Sequence, residues 1–222
     1  MRPLKSINLI FFYTNWSEIV EALPEPILII GNPPWVTNAA LSTLGSNNVP
    51  TKLNLDNLRG IDALTGKSNF DISEWMIRKN IEWLNSKNGL LAMLCKTTVA
   101  RKVLLYAWQN GLQIESASLY ILDAQEHFGA SVDACLLFVQ SAPNGNSKTC
   151  QVFHALHAQH PDSVFGWQDG MLVADLKSYQ TWKNLLGNGF RGWRSGIKHD
   201  CSKVFEVNYP APTAKRYGAG FW

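Results

Sequence analysis

One short stretch combines hydrogen-bond acceptors, a rigid backbone and a stacking surface: Asn32, Pro33, Pro34 and Trp35. Asn32 carries a side-chain carbonyl and Pro33 a main-chain carbonyl, and each can accept one N–H of an amino group. Trp35 offers a flat face on which an aromatic ring can stack. The two prolines keep this arrangement rigid, because proline fixes its own φ angle. The stretch therefore suits an exocyclic amino group on a flat ring, whose nitrogen lone pair the acceptors would turn towards an electrophile.

This stretch follows an apolar run, Pro26 to Ile30, that is typical of a buried strand. Gly31 and the two prolines end the strand, since proline has no N–H to donate to a neighbouring strand. In an open α/β sheet, ligands bind in loops at the carboxyl ends of strands. The position of Asn32 directly after such a strand favours a functional loop. The alternative is a rigid turn whose tryptophan packs in the core.

At these residues the chain resembles the amino-methylating DNA methyltransferases of restriction-modification type. Their fourth motif reads Asn, Asp or Ser, then Pro-Pro and an aromatic residue, and Asn32 is more similar to the adenine-N6 branch than to the cytosine-N4 branch. The resemblance implies S-adenosylmethionine as methyl donor and double-stranded DNA as substrate. It also implies catalytic roles for four residues: Asn32, Pro33, Pro34 and Trp35.

A second segment is similar to the fifth motif of that family. Asn69 and Asp71 are good caps for an amphipathic helix predicted over Asp71–Ser86, in which Ile77 and Ile81 share one face. The resemblance implies that Phe70 reaches the base pocket and that Asp71 lies beside the cofactor. A capped amphipathic helix with no functional role explains the same spacing nearly as well.

Two further segments follow in the order that the family shows. A buried strand over Leu90–Cys95, a loop at Lys96–Thr98 and a helix over Ala100–Trp108 are similar to its sixth motif. Strands predicted at Ile114–Leu122 and Val132–Gln140 would form the terminal antiparallel hairpin of the family fold. Their connection is predicted to be a loop, and the resemblance places Phe128 there as the aromatic residue of the eighth motif.

The composition is that of a globular chain: 46% of the 222 residues are hydrophobic and 17% are charged. A net charge of +3 allows nucleic-acid binding without favouring it. No run is long enough to cross a membrane. The four cysteines are widely spaced, which indicates reduced core thiols in a cytoplasmic protein: Cys95, Cys135, Cys150 and Cys201.

The expected fold is α/β, the second half of a doubly wound Rossmann-like methyltransferase sheet. We expect residues 1–140 to form a partial catalytic domain and residues 141–222 a linker and a partial target-recognition region. The family's cofactor half has a glycine-rich loop after its first strand, yet Gly31 is the only glycine before Asn32. We therefore expect either a truncated methyltransferase or a split enzyme in which another chain supplies the cofactor half, and in both cases a chain that is inactive by itself.

Several cations could contact DNA phosphates. Two lie in the long polar segment Gly45–Asn69 and two in the glycine- and aromatic-rich segment Gly187–Gly196, which resembles the entry to a target-recognition region. A solvated loop is the alternative for each of the first pair. The predicted DNA-binding residues are Lys52, Arg59, Lys96, Arg191 and Arg194.

Two other interpretations of function stay open, and two weaker signals are set aside. The chain could hold DNA without methylating it, or methylate RNA or protein, since Asn-Pro-Pro-aromatic also activates the amide of glutamine.

The segment Gly187–Gly192 fits Gly-x-Gly-x-x-Gly but follows a helix, where a cofactor loop would follow a strand. His154, His157 and His160 lack a partner with ligand spacing, so no metal site is predicted.

Overall fold

The computed structural model describes residues 11, 14–36, 71–129 and 131–185. The helices are α1 (Trp16–Glu21), α2 (Ile72–Leu84), α3 (Thr97–Gln109), α4 (Ala124–Phe128) and α5 (Leu176–Trp182), with a 3-10 turn at Lys183–Leu185. The strands are β1 (Ile27–Gly31), β2 (Gly89–Lys96), β3 (Ile114–Asp123), β4 (Asp133–Ser141), β5 (Thr149–Phe153), β6 (Ser163–Gln168) and β7 (Met171–Val173).

These strands form one sheet in the order β1-β2-β4-β3-β5-β6-β7. β1 and β2 are parallel, and the crossover that parallel strands require contains α2. β3 and β4 pair antiparallel, and β4 lies between β2 and β3. The predicted α/β fold with an antiparallel hairpin after its parallel strands is therefore confirmed.

One face of the sheet carries the core, and both long helices pack on it. The helical periodicity read from the sequence is confirmed, because the apolar face of each helix is buried together with inward residues of the strands. The core includes Ile77, Ile81 and Leu84 of α2, Val103, Leu104 and Ala107 of α3, and Leu91, Leu119 and Leu137 of the central strands.

Two predicted loops are wrong in part. Thr97 begins α3, with Lys96 as its N-cap residue, so the predicted loop after β2 is the first turn of a helix. The connection between β3 and β4 contains the short helix α4. Asp123 caps it by accepting a hydrogen bond from the Glu126 N–H at 2.9 Å, and Gly129 ends it at φ +63.

The sheet continues past residue 140 without a break. β5 pairs with β3, β6 with β5 and β7 with β6. The chain divides into two compact units, Met1–Tyr179 and Gln180–Trp222. A target-recognition role for residues 141–222 stays a prediction, while the strands that follow Ser141 belong to the same sheet as β1, the strand that leads into the predicted catalytic loop. No helix in the described ranges is long and apolar enough to span a membrane.

The described part of the chain contains three buried free cysteines, with Cys95 and Cys135 on the neighbouring strands β2 and β4 and Cys150 on β5. The Sγ atoms of Cys95 and Cys135 are 3.9 Å apart across β2 and β4. The hydrogen bond to Cys135 and burial raise the pKa of the Cys95 thiol, and burial raises the pKa of the Cys150 thiol. The predicted core thiols are therefore confirmed at these positions.

Because the thiolate is the reactive form, we expect these thiols to react only as the chain unfolds. In a Cys201→Ser variant, labelling by an aromatic disulfide reagent should be slow in native buffer and should accelerate at the denaturant midpoint followed by circular dichroism. Rapid labelling of the folded variant would show that this part of the core opens by itself.

Candidate active site

The loop Asn32–Val36 leaves the sheet where β1 ends. Gly31 is the last residue of β1 and pairs with Met93 of β2 in parallel register. Pro33 is buried, Trp35 is half-buried and Asn32 is exposed. The loop is thus packed against the protein at Pro33, while the carboxamide of Asn32 remains open to a ligand.

Backbone and indole contacts hold the far end of this loop. The Trp35 indole Nε1–H donates to the carbonyl of Leu94 in β2 at 3.3 Å. The Ile72 N–H, in the first turn of α2, donates to the carbonyl of Val36 at 3.0 Å. The loop is therefore fixed between the carboxyl end of β2 and the start of α2.

Two predicted site residues contact each other beside the loop. Asp71 caps α2, since its Oδ1 accepts from the Ser73 N–H at 3.0 Å, and its Oδ2 accepts from Lys96 Nζ at 2.7 Å. Lys96 Nζ also donates to the carbonyl of Trp35 at 3.3 Å. In the structure both side chains support the loop, and the predicted contacts of Asp71 with the cofactor and of Lys96 with DNA stay predictions.

Phe128 and the predicted catalytic loop line one open cavity of about 360 Å³. Phe128 lies at the end of α4 and is 54% exposed. Pockets for small ligands are typically about 300–1,000 Å³, so a single flat base fits this space. Its walls are Asn32, Pro33, Pro34, Trp35, Leu94 and Phe128.

A second cavity, of about 490 Å³, follows the outer edge of β1 and reaches Asn32. It is largely apolar, and its polar side chains are Asn32 and Asn80. The sequence interpretation missed Trp16, Met76 and Trp83, which line it from α1 and α2. The sequence does contain nine tryptophans, but each of them taken alone is more typical of a core residue than of a ligand contact.

Other predicted site residues lie outside the described part of the chain: Lys52, Arg59, Phe70, Arg191 and Arg194. Within the described ranges, no group of three or more His, Cys, Asp or Glu residues could hold a metal ion. His154 instead pairs with Asp162, Nδ1 to Oδ2, at 3.0 Å.

The structure brings together the segments whose motifs resemble DNA methyltransferases of restriction-modification type. A strand ends in Asn-Pro-Pro-Trp, a capped helix begins beside that loop, and a helical turn within the hairpin brings Phe128 to it. Comparisons with known proteins agree with this class, although no protein-family model matches the chain.

The chain is 41% identical over 198 residues to the Type II methyltransferase M.NspV of Nostoc sp. strain PCC 7524. The match covers 89% of this chain and 41% of that protein. The predicted resemblance to restriction-modification methyltransferases is therefore confirmed. The chain spans less than half the length of this relative.

One solved structure is also similar, that of the Type IIL restriction-modification enzyme MmeI in complex with DNA. The match has a TM-score of 0.42 and 16% sequence identity, and it covers 69% of this chain and 20% of that one. A TM-score below 0.5 does not establish a common fold. The fold assignment accordingly rests on the strand order described above.

Proposed function

We propose that the chain is the target-amine half of an S-adenosylmethionine-dependent DNA methyltransferase that methylates the N6 amino group of adenine. The cavity shared by Asn32, Trp35 and Phe128 supports this proposal best. It combines carbonyl acceptors for an amine with two aromatic side chains for the ring that carries it. The identity with a Type II methyltransferase supports DNA as the substrate class.

The proposed role of this chain in the reaction is to orient the amine. A base inside a duplex cannot present its amino group to a methyl donor, so the target adenine must leave the stack. The Asn32 side-chain carbonyl and the Pro33 carbonyl each accept one N–H, which directs the nitrogen lone pair away from the loop. Trp35 and Phe128 hold the ring by stacking. The cofactor supplies the electrophilic methyl group.

Among the described residues, those near the loop fit only the wall of the cofactor site that faces the target base. The carboxylate and amino group of S-adenosylmethionine need backbone donors at a tight turn, and its ribose needs an acidic acceptor. Apolar side chains and two asparagines dominate the cavity along β1. Asp71, the predicted cofactor contact, already caps α2 and pairs with Lys96. We propose that a separate chain supplies the cofactor half.

The outer edge of β1 is the proposed docking surface for that half. Among the described strands β1 is terminal, and Leu28 and Ile30, on the face of β1 opposite to the buried Ile27, are 59% and 72% exposed. An apolar strand edge that is open to water is a template for pairing with another strand. A strand added parallel to β1 would end beside Asn32, because parallel strands place their carboxyl ends at one side of the sheet. A cofactor loop at that end would then face the target amine.

Reconstitution tests the proposed activity directly. The chain is combined with the part of M.NspV that the match leaves out, and duplex DNA is analysed by mass spectrometry for methylated bases. N6-methyladenine is expected, with none formed by either part alone. N4-methylcytosine would contradict the adenine assignment. Methylation of RNA or of protein glutamine, with none of DNA, would contradict the substrate class.

Trp35→Ala is expected to weaken capture of the extruded base by about five- to 150-fold, because base–aromatic stacking contributes roughly 1–3 kcal/mol. The fluorescence rise of 2-aminopurine at the target position measures this capture. Trp35→Phe keeps an aromatic ring and loses only the hydrogen bond to Leu94, so it separates stacking from support of the loop. Unchanged flipping in Trp35→Ala would make Trp35 a packing residue.

A further inference from the structure

Lys96 lies where three segments of the chain meet. It is the last residue of β2 and the N-cap residue of α3. Its ammonium group donates to Asp71, 25 residues away in sequence, at 2.7 Å. It also donates to the carbonyl of Trp35, 61 residues away, at 3.3 Å. One side chain thus connects the end of β2, the start of α2 and the loop that carries Asn32.

The surroundings of Lys96 hold its ammonium group in place. The side chains of Lys96 and Asp71 are 29% and 11% exposed. Both carboxylate oxygens of Asp71 have partners, with Oδ1 at the Ser73 N–H and Oδ2 at Lys96. Hydrogen bonds between charged groups are shorter and stronger than neutral ones, so this pair fixes the ammonium group against the loop.

Fixing the carbonyl of Trp35 constrains the whole loop. At the other end, Gly31 is held in the sheet by its pairing with Met93. Between these two ends, Pro33 and Pro34 have fixed φ angles, which leaves few backbone torsions free to move. The acceptors of Asn32 and Pro33 therefore keep their position only while both ends of the loop are held.

We propose that Lys96 is a positioning residue for the Asn32–Trp35 loop, acting through Trp35 and Asp71. Under this proposal its ammonium group holds the loop and does not bind a DNA phosphate, the contact that the sequence predicted. The positioning itself is a property of this chain alone. Only its effect on methyl transfer rests on the proposed function.

Hydrogen–deuterium exchange on the 222-residue chain tests the positioning without any activity. In Lys96→Met, peptides covering residues 27–36 are expected to exchange about tenfold faster, because a local opening no longer breaks the charged hydrogen bond from Lys96 to the Trp35 carbonyl. Peptides covering residues 114–141 should be unchanged. Lys96→Arg keeps a cation with several donors and should restore most of the protection.

Two variants complete this design. Lys102→Met is the matched control, because Lys102 lies on α3 and its ammonium group pairs with Glu74 at 3.3 Å instead of with the loop. Asp71→Asn keeps an acceptor for the Ser73 N–H but removes the charge that holds Lys96, so it should loosen the same peptides. If Lys96→Met does not fold, Asp71→Asn decides the question. Equal acceleration across the whole chain, or none in residues 27–36, would overturn the proposal.

Salt dependence in the reconstituted enzyme separates positioning from DNA contact. Lys96→Met is expected to lower kcat about tenfold and to leave the slope of log affinity against log salt unchanged. A phosphate contact would instead reduce that slope by about one and leave hydrogen exchange as in the wild type. That result would overturn the proposal. A wild-type complex without methylation would count against the proposed function and would leave the exchange result standing.

Discussion

Replacing Asn32 with alanine is expected to slow methyl transfer in the reconstituted enzyme by about a hundredfold, as loss of one preorganised hydrogen-bond partner typically does. Asn32 is proposed to accept one of the two N–H groups of the target amine. With Pro33 alone as acceptor, the lone pair of the amine would no longer be directed towards the methyl donor. The rate is measured as N6-methyladenine formed in a single turnover.

The structure indicates that this substitution leaves folding intact. Asn32 is exposed, and it follows the last residue of β1, so its side chain is not part of the buried core. Thermal unfolding of Asn32→Ala should match that of the wild type. Asn146→Ala, which truncates an exposed asparagine in the turn before β5, is the control for both rate and stability. A single-turnover rate within threefold of wild type would remove Asn32 from the mechanism.

The elements around the loop could be predicted because their signals are local. The apolar run before Gly31 predicted β1. The spacing of apolar residues predicted α2 and α3 within a few residues of their observed ends. Asp71 was recognised as a helix cap, and its oxygen does accept the Ser73 N–H. Each of these inferences depends on residues that are close together in the sequence.

The role of Lys96 could not be predicted because it depends on contacts between distant segments. A lysine at the end of a strand and an aspartate at the start of a helix each looked like a ligand contact when considered alone. The fold brings Lys96 to Asp71 and to Trp35, so both charged side chains have partners within the chain. The contacts of Lys96 are set by the tertiary structure, and the spacing of residues along the sequence gives no information about them.

The predicted boundary after residue 140 shows a related difficulty. Pro143, Asn144 and Gly145 are turn residues, and turn residues occur both in linkers and in tight turns within one sheet. In the structure this turn packs against the start of β3. A Cβ at Gly145 would lie 2.7 Å from the backbone of Ile114, and the Ser147 N–H donates to the Ile114 carbonyl at 2.8 Å. The glycine permits this close packing, which the turn residues alone do not predict.

Introducing lysine at Ile30 is expected to abolish assembly with a cofactor half and with it all methyl transfer. Ile30 is 72% exposed on the terminal strand of the sheet, and the cavity along β1 includes it. A lysine there would place a charge where the proposed partner strand buries apolar side chains, and charged side chains on edge strands oppose pairing. The same change should make the isolated chain more soluble, because it replaces an exposed apolar side chain with a charged one.

Met171→Lys is the matched control, since Met171 is 48% exposed on β7, at the opposite end of the sheet. Sedimentation velocity of the chain mixed with the remaining part of M.NspV measures assembly. Wild type and Met171→Lys should both form a one-to-one complex, and Ile30→Lys should remain monomeric. Titration calorimetry should then detect S-adenosylmethionine binding to the complex and none to the 222-residue chain. Complex formation by Ile30→Lys, or a wild-type chain that instead pairs with a second copy of itself through β1, would show that this edge serves another purpose.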